Sequence, residues 1–291
     1  MKEKRLLTLF FLLISISLSA QVKGVVLDSV SGKPIAYAAV MYENSKIGVN
    51  TDEYGVFLLP KNDTIKHIQI TNLGYNSKTV LTNNELTLKL SPSIYQLNEI
   101  VVIRKQNNKQ IIIGDLKKKG SSYGNGGTSH MWGIKFPYKS ENEIFKFIKE
   151  VKFITKSRVK NSKLKLRIFT IDSLNEIEKN ILEDEIIITC KKGKQLQTID
   201  LSNYNLVFPK EGLLIAFENI IVEENKFEYN YTMEGKKGNF KGVSYEPSIL
   251  GYFDSQPNVY SIKNNKAHLL TNKPNTKDGF HNLSVQLTLL D

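Results

Sequence analysis

Short apolar runs recur along this chain, each bounded by clusters of Gly, Pro, Asn, Asp or Ser. From Val22 to about Ile103 they read "VKGVVLD", "IAYAAVMYE", "IKHIQIT" and "ELTLKL", with "SVSGKP" and "NSKIG" as turns between them. In the last run Leu86, Leu88 and Leu90 alternate against Thr87 and Lys89. Runs of this length and spacing predict antiparallel β-strands rather than βαβ units. The pattern returns from about Met131 to Asp291. "KLKLRIFTI" places Leu164, Leu166 and Ile168 inward, with Lys163, Lys165 and Arg167 outward toward solvent. "EIIITC" and "KQLQTIDL" are joined by a hairpin turn at Lys191 to Lys194, and "EGLLIAFENI", "KFEYNYT", "NVYSIK" and "LSVQLTLL" supply further strands. The fold expected is all-β: two sandwiches, over 21–104 and 131–291.

Two stretches break the pattern. Residues 105–130 carry "KKKG" and "SSYGNGGTS" without sustained periodicity, and are expected to form a linker, with "QIIIG" as a candidate strand within it. Its glycines are not followed by Lys-Ser or Lys-Thr, so it is no phosphate loop. In "SENEIFKFIKEV", Ser140 and Glu143 make a capping box, and Ile144, Phe147, Ile148 and Val151 share a helical face. Phe145 and Phe147 also alternate as in a strand, the reading that suits an all-β domain better.

The first twenty residues have the form of an export signal: basic Lys2, Lys4 and Arg5, an apolar run from Leu6 to Ile16, and a small-residue exit through Ser17, Ser19 and Ala20. An uncleaved anchor is the alternative; the run is short of the roughly 20 residues that span a bilayer. The chain is expected to be exported to the periplasm or the cell surface, with no transmembrane segment in the mature part. The formal charge is +11; three basic residues and one acidic residue leave with the signal. Export argues against nucleic acid as the partner, leaving an envelope protein, a glycan or an anionic head group, acidic in character, or a basic surface with no specific partner. The single cysteine, Cys190, alternates with Ile186 and Ile188, and is expected to be a buried small hydrophobe.

The residues from 22 to 90 carry a spaced set: Gly24 and Asp28, Gly32 and Pro34, Ala38 and Ala39, Gly48, Thr51 and Asp52, Gly55, Phe57, and Gly74 with Tyr75. In that order they resemble the carboxypeptidase-regulatory-like family, a transthyretin-like (prealbumin-like) sandwich of roughly seven strands. In "NTDEYGVFLL", Thr51 and Asp52 are expected to cap a turn toward Gly55, and Phe57 and Leu59 to enter the core. The peptidase itself is absent: its zinc site needs His-x-x-Glu, and none of His67, His130, His268 and His281 has Glu three residues on. The stretch "LNEIVVIRK" at 97–105 resembles the junction leading into the plug of TonB-dependent outer-membrane receptors, which suggests an accessory role beside such an uptake system. The remainder resembles a companion β-domain of exported Bacteroidota proteins and is expected to form a jelly-roll-like sandwich.

No constellation points to catalysis, a cofactor or a resident metal. The acidic groups Asp52-Glu53, Glu183-Asp184-Glu185 and Glu223-Glu224 lie at strand ends or turns, where carboxylates are usually solvated, and lack the alternation of a calcium loop. No Gly-x-Ser-x-Gly elbow is present. Trp132, Phe136 and Tyr138 form either a stacking platform for a sugar or the start of the second core, and Tyr229 and Tyr231 share one strand face. The function expected is a non-catalytic binding or scaffold module of the cell envelope, with carbohydrate binding by the second domain as the alternative.

Overall fold

A computed structural model of the protein describes residues 21–83, 85–93, 109–128, 130–182, 184–233, 235, 238–263, 266–271 and 279–291. The expected signal at 1–20 and the 97–105 stretch lie outside the described residues. The described chain falls into two compact units, either side of residue 95.

The first unit has seven strands: β1 (Gln21–Asp28), β2 (Ala39–Tyr42), β3 (Gly48–Asn50), β4 (Val56–Pro60), β5 (His67–Thr71), β6 (Lys78–Leu81) and β7 (Glu85–Leu90). They form a three-stranded sheet, β4-β1-β7, and a four-stranded sheet, β3-β2-β5-β6. β1 runs antiparallel to β4 and parallel to β7. Alternation decides what is buried: Val22 and Val26, Phe57 and Leu59, Leu88 and Leu90 meet Val40, Tyr42, Ile68 and Ile70 of the other sheet in one core. His67, in phase opposite to Ile68, is exposed. Gly24 lies opposite Phe57, and a Cβ on it would fall 2.4 Å from the Phe57 ring.

The turn at 51–57 is built by two side chains with separate tasks. Asp52 caps it as expected: Oδ1 accepts from the amides of Tyr54 (2.9 Å) and Val56 (2.8 Å). Gly55 closes it at φ +74°, where a Cβ would meet the Val26 carbonyl oxygen at 2.7 Å. Thr51 does not cap the turn. It is fully buried, and its hydroxyl accepts from the Ala38 amide and donates to the Ile35 carbonyl, both at 2.8 Å. Asp52→Ala is therefore expected to cost about 1 kcal/mol, as lost caps do, measured as a lower denaturant midpoint. Asp28 does for the 29–32 turn what Asp52 does here. It accepts from the amides of Val30 and Ser31 and from the Tyr75 hydroxyl, and the Ser31 and Val30 amides hold its carboxyl below the usual carboxylate range.

The second unit has fifteen strands. These are β8 (Gln110–Asp115), β9 (Ser122–Asn125), β10 (Met131–Phe136), β11 (Phe147–Ser157), β12 (Ser162–Ile171), β13 (Ile177–Asn180), β14 (Ile186–Cys190) and β15 (Gly193–Asp200). They continue as β16 (Leu213–Asn219), β17 (Lys226–Tyr231), β18 (Phe240–Asp254), β19 (Tyr260–Lys263), β20 (Lys266–Leu269), β21 (Phe280–Leu283) and β22 (Val285–Leu290). One sheet runs β13-β12-β16-β10-β19-β20, with β14 also on β12. The other runs β17-β18-β11-β22-β8, with β15 on β11 and β9 and β21 on β18. Leu164, Leu166, Ile215 and Phe217 of the first sheet pack against Val151, Phe153, Val285 and Leu287 of the second, with Phe153 and Phe217 4.5 Å apart. Cys190 is buried in this core, which pushes its thiol up to about 11.

One expectation changes here, and the helix-or-strand alternative at 140–151 resolves to a strand from Phe147 onward. The stretch expected as a linker supplies β8, the strand expected at "QIIIG", paired along its length with β22, and in addition β9, paired with β18, so it belongs to the second unit's sheet. Its backbone is held by partners remote in sequence, which local composition does not report. Over 140–151 the chain makes a single 3-10 turn, Ser140–Glu143, and enters β11 at Phe147. The amide of Lys139 donates to Asn142 Oδ1 at 2.8 Å, so Asn142 takes the capping position expected for Glu143.

Candidate functional site

β17 is an edge strand, and its period-two pattern puts Phe227, Tyr229 and Tyr231 on one face. Their cross-strand partners in β18 are Ser244, Gly242 and Phe240. The rings make a ladder: Phe227 to Tyr229 6.3 Å and nearly parallel, Tyr229 to Tyr231 6.0 Å, Tyr231 to Phe240 5.7 Å. Gly242 is what lets Tyr229 lie down. A Cβ there would fall 2.6 Å from Cζ and 2.9 Å from the hydroxyl, so the ring lies across bare backbone. Tyr229 and Tyr231 remain 38% and 39% exposed, far more than aromatic side chains of the core.

Arg158 joins this ladder to an adjoining pocket. Its guanidinium carbon sits 4.2 Å from the Phe227 ring centre and 5.2 Å from that of Tyr229, in cation–π range. Nε donates to Glu246 Oε1 at 2.7 Å, and Nη2 donates to Ser244 Oγ at 2.5 Å. Glu246 is buried, so the guanidinium is anchored from below while its own edge stays partly exposed. The pocket has a volume of about 290 Å³ and is lined by Ser122, Asn125, Lys156, Arg158, Ser244 and Ser248 among others. Asn125 is buried; its Oδ1 accepts from the amides of Gly127 and Thr128, which fixes the orientation of the side-chain amide. Its Nδ2 has no hydrogen-bond partner among the described residues.

The platform expected at Trp132, Phe136 and Tyr138 is not a shared exposed face. Phe136 is buried in the core, and Tyr138 packs on Phe208 at 6.2 Å. Trp132 lies between His130 and Tyr123, at 4.1 and 5.0 Å, and its Nε1 donates to the Gly124 carbonyl at 3.3 Å. The three residues anchor the second core. Next to them, Ser121 Oγ sits 3.0 and 3.2 Å from the two ring nitrogens of His281. No carboxylate among the described residues orients that imidazole, and burial lowers its pKa. The pair lacks the third member that makes a hydroxyl nucleophilic.

Lys165 and Arg167, expected to face solvent, are buried at 1% and 8% exposure. They do point away from the core, as the alternation requires, but that outer face is covered. Glu218 of β16 lies directly across from Lys165, and Glu185, leading into β14, reaches both cations. Lys165 Nζ is 3.0 Å from Glu185 Oε1, and Arg167 is 2.9 Å from both Glu185 and Glu218. Burial alone raises the Glu218 carboxyl, but Lys165 and Arg167 outweigh it and hold the group below the usual carboxylate range. A glycosidase acid needs the opposite shift. Glu185 is thus part of a buried network rather than a solvated turn, whereas Glu223 lies exposed beside Lys226 at 3.3 Å. Among the described residues, no group of three or more His, Cys, Asp or Glu is placed to hold a metal ion.

Residues 22–102 match the CarboxypepD_reg-like domain family. No curated protein matches the sequence. Among solved structures, the chain is similar to the cysteine protease and lectin-like domains of Cwp84, a surface-layer-associated protein of Clostridium difficile. Identity is 10% and the TM-score 0.38, over 84% of this chain and 45% of that one. A Cwp84 variant after propeptide cleavage gives 10% identity and a TM-score of 0.39, over 84% of this chain and 51% of that one. The chain thus spans about half the length of the structures it matches, at similarities too low to carry a functional argument.

Proposed function

We propose that this protein is a non-catalytic, exported binding module of the cell envelope whose second unit binds carbohydrate along the β17–β18 ladder and its pocket. One observation carries the reading: the Tyr229 ring lies flat across Gly242, exposed, within a row of rings ending at Arg158. A sugar ring has an apolar face of C–H groups and a rim of hydroxyls. A flat aromatic face suits the first, and a pocket of serines, Arg158 and Asn125 suits the second. The regulatory-like unit contributes support or protein contacts, and residues 1–20 direct export.

A glycan array tests this, with hits quantified by calorimetry. Tyr229→Ala is expected to weaken binding by roughly five- to tenfold, the scale of about 1–1.5 kcal/mol for an aromatic contact, with an unchanged thermal midpoint. The absence of any glycan signal from the folded protein contradicts the proposal, as does a signal that Tyr229→Ala leaves untouched.

A further inference from the structure

The charge around the pocket is more specific than the overall basic balance. In the sheet that forms its floor, Lys156 of β11 lies directly opposite Lys194 of β15, so both side chains leave the same face. Like charges in directly opposed cross-strand positions are destabilising, yet no ion pair with a carboxylate relieves either ammonium among the described residues. On its other side Lys156 is opposite Ser248, whose hydroxyl donates to the Lys156 carbonyl at 3.0 Å. Lys194 Nζ donates to the carbonyl of Lys118, which ties the β14–β15 hairpin to the "KKKG" segment between β8 and β9. Within that segment Lys117 is committed to Asp115 (3.6 Å) and the Tyr252 ring (4.2 Å), while Lys118 and Lys119 stay exposed without a carboxylate partner among the described residues. The one acid lining the pocket, Glu246, is already neutralised by Arg158.

We infer that the occupant of this site is an anionic polysaccharide, bearing carboxylates or sulfates, with Lys156 and Lys194 reading its charge while the ring ladder holds its sugars. The inference rests on the carbohydrate reading above and names the substrate class within it. Two features in and beside the pocket favour acceptors: the ammoniums of Lys156, in its lining, and of Lys194, opposite it in register, neither with a carboxylate partner among the described residues, and the exposed edge of Arg158. Its concavity and adjoining ring ladder favour a chain of sugar units over a flat membrane surface. Opposed lysines also make sense energetically with such a ligand, because a bound anion converts their repulsion into attraction, weakened by salt.

The test uses the mature full chain and matched polymers: polygalacturonate against its methyl ester, and dextran sulfate against dextran. A fifth arm uses vesicles of phosphatidylglycerol with phosphatidylcholine. The charged member of at least one pair is expected to bind at least tenfold more tightly than its neutral counterpart at low salt. In the double variant Lys156→Gln with Lys194→Gln that ratio should collapse toward one; both residues are exposed, so folding is retained. Tyr229→Ala should weaken binding of the charged polymer too. Charged and neutral polymers bound equally by the wild type overturns the inference and leaves the carbohydrate reading standing. A charge preference that survives the double variant also overturns it. Binding to the vesicles with none to any polymer contradicts both and assigns the basic face to a lipid surface.

Discussion

Arg167→Ala is expected to destabilise the second unit by about 3–5 kcal/mol, the scale seen when one partner of a buried ion pair is removed. Arg167 is in ion-pair contact with both Glu185 and Glu218. Its loss takes from the buried Glu218 carboxylate the guanidinium that both pairs with it and donates a hydrogen bond to it at 2.9 Å. With domain stabilities of about 5–15 kcal/mol, this is a large fraction of the total. The chain's single tryptophan, Trp132, lies in this unit, so its fluorescence during denaturant unfolding reports the change. Replacing both partners, Arg167→Met with Glu218→Leu, should recover much of the loss, because the buried Glu218 carboxylate is then removed together with its guanidinium partner. An additive double variant contradicts the coupling. The pH dependence has a fixed sign. Glu218 titrates lower in the folded state than its ordinary value, so its contribution is complete above that value and is lost as pH falls through the folded one. Glu218→Gln should flatten that acid limb.

Thr51→Val is expected to cost the first unit about 2–4 kcal/mol, more than Asp52→Ala one residue on. The substitution keeps the shape but removes the hydroxyl that satisfies the Ala38 amide and the Ile35 carbonyl across the sheet. Each buried group left unmatched costs about 1–3 kcal/mol. The amides that Asp52 caps sit at a more exposed turn, where water replaces the lost acceptor. Calorimetric unfolding of the two variants gives the order directly; an equal or smaller loss for Thr51→Val contradicts the clasp.

The first unit is largely legible because its signals are local: alternation in "HIQIT", glycines at positive φ at residues 32, 55 and 74, and Asp52 two and four residues from the amides it caps. The role of Thr51 is not legible locally, because its partners lie thirteen and sixteen residues back, across the sheet. In the second unit alternation fixed which face each β12 residue takes, but not whether that face is wet. Lys165 and Arg167 point away from the core and are buried nonetheless, since Glu185 and Glu218 arrive from other strands. The same limit hid the candidate site. Tyr229 and Tyr231 were visible as a strand face, whereas Gly242 beneath them, Arg158 at 4.2 Å from Phe227, and the Lys156–Lys194 register depend on pairings that no local pattern encodes. Of the two readings of Trp132, Phe136 and Tyr138, packing realises the start of the second core.

The most direct measurement is a map of backbone amide shifts in the isotopically labelled mature protein titrated with short oligogalacturonates. Binding at the ladder predicts saturable shifts concentrated in 227–231, 240–246 and 156–158, with the first unit silent. Saturable shifts confined to the surroundings of Trp132, to the first unit, or scattered over exposed lysines without saturation contradict a carbohydrate site on the β17–β18 face.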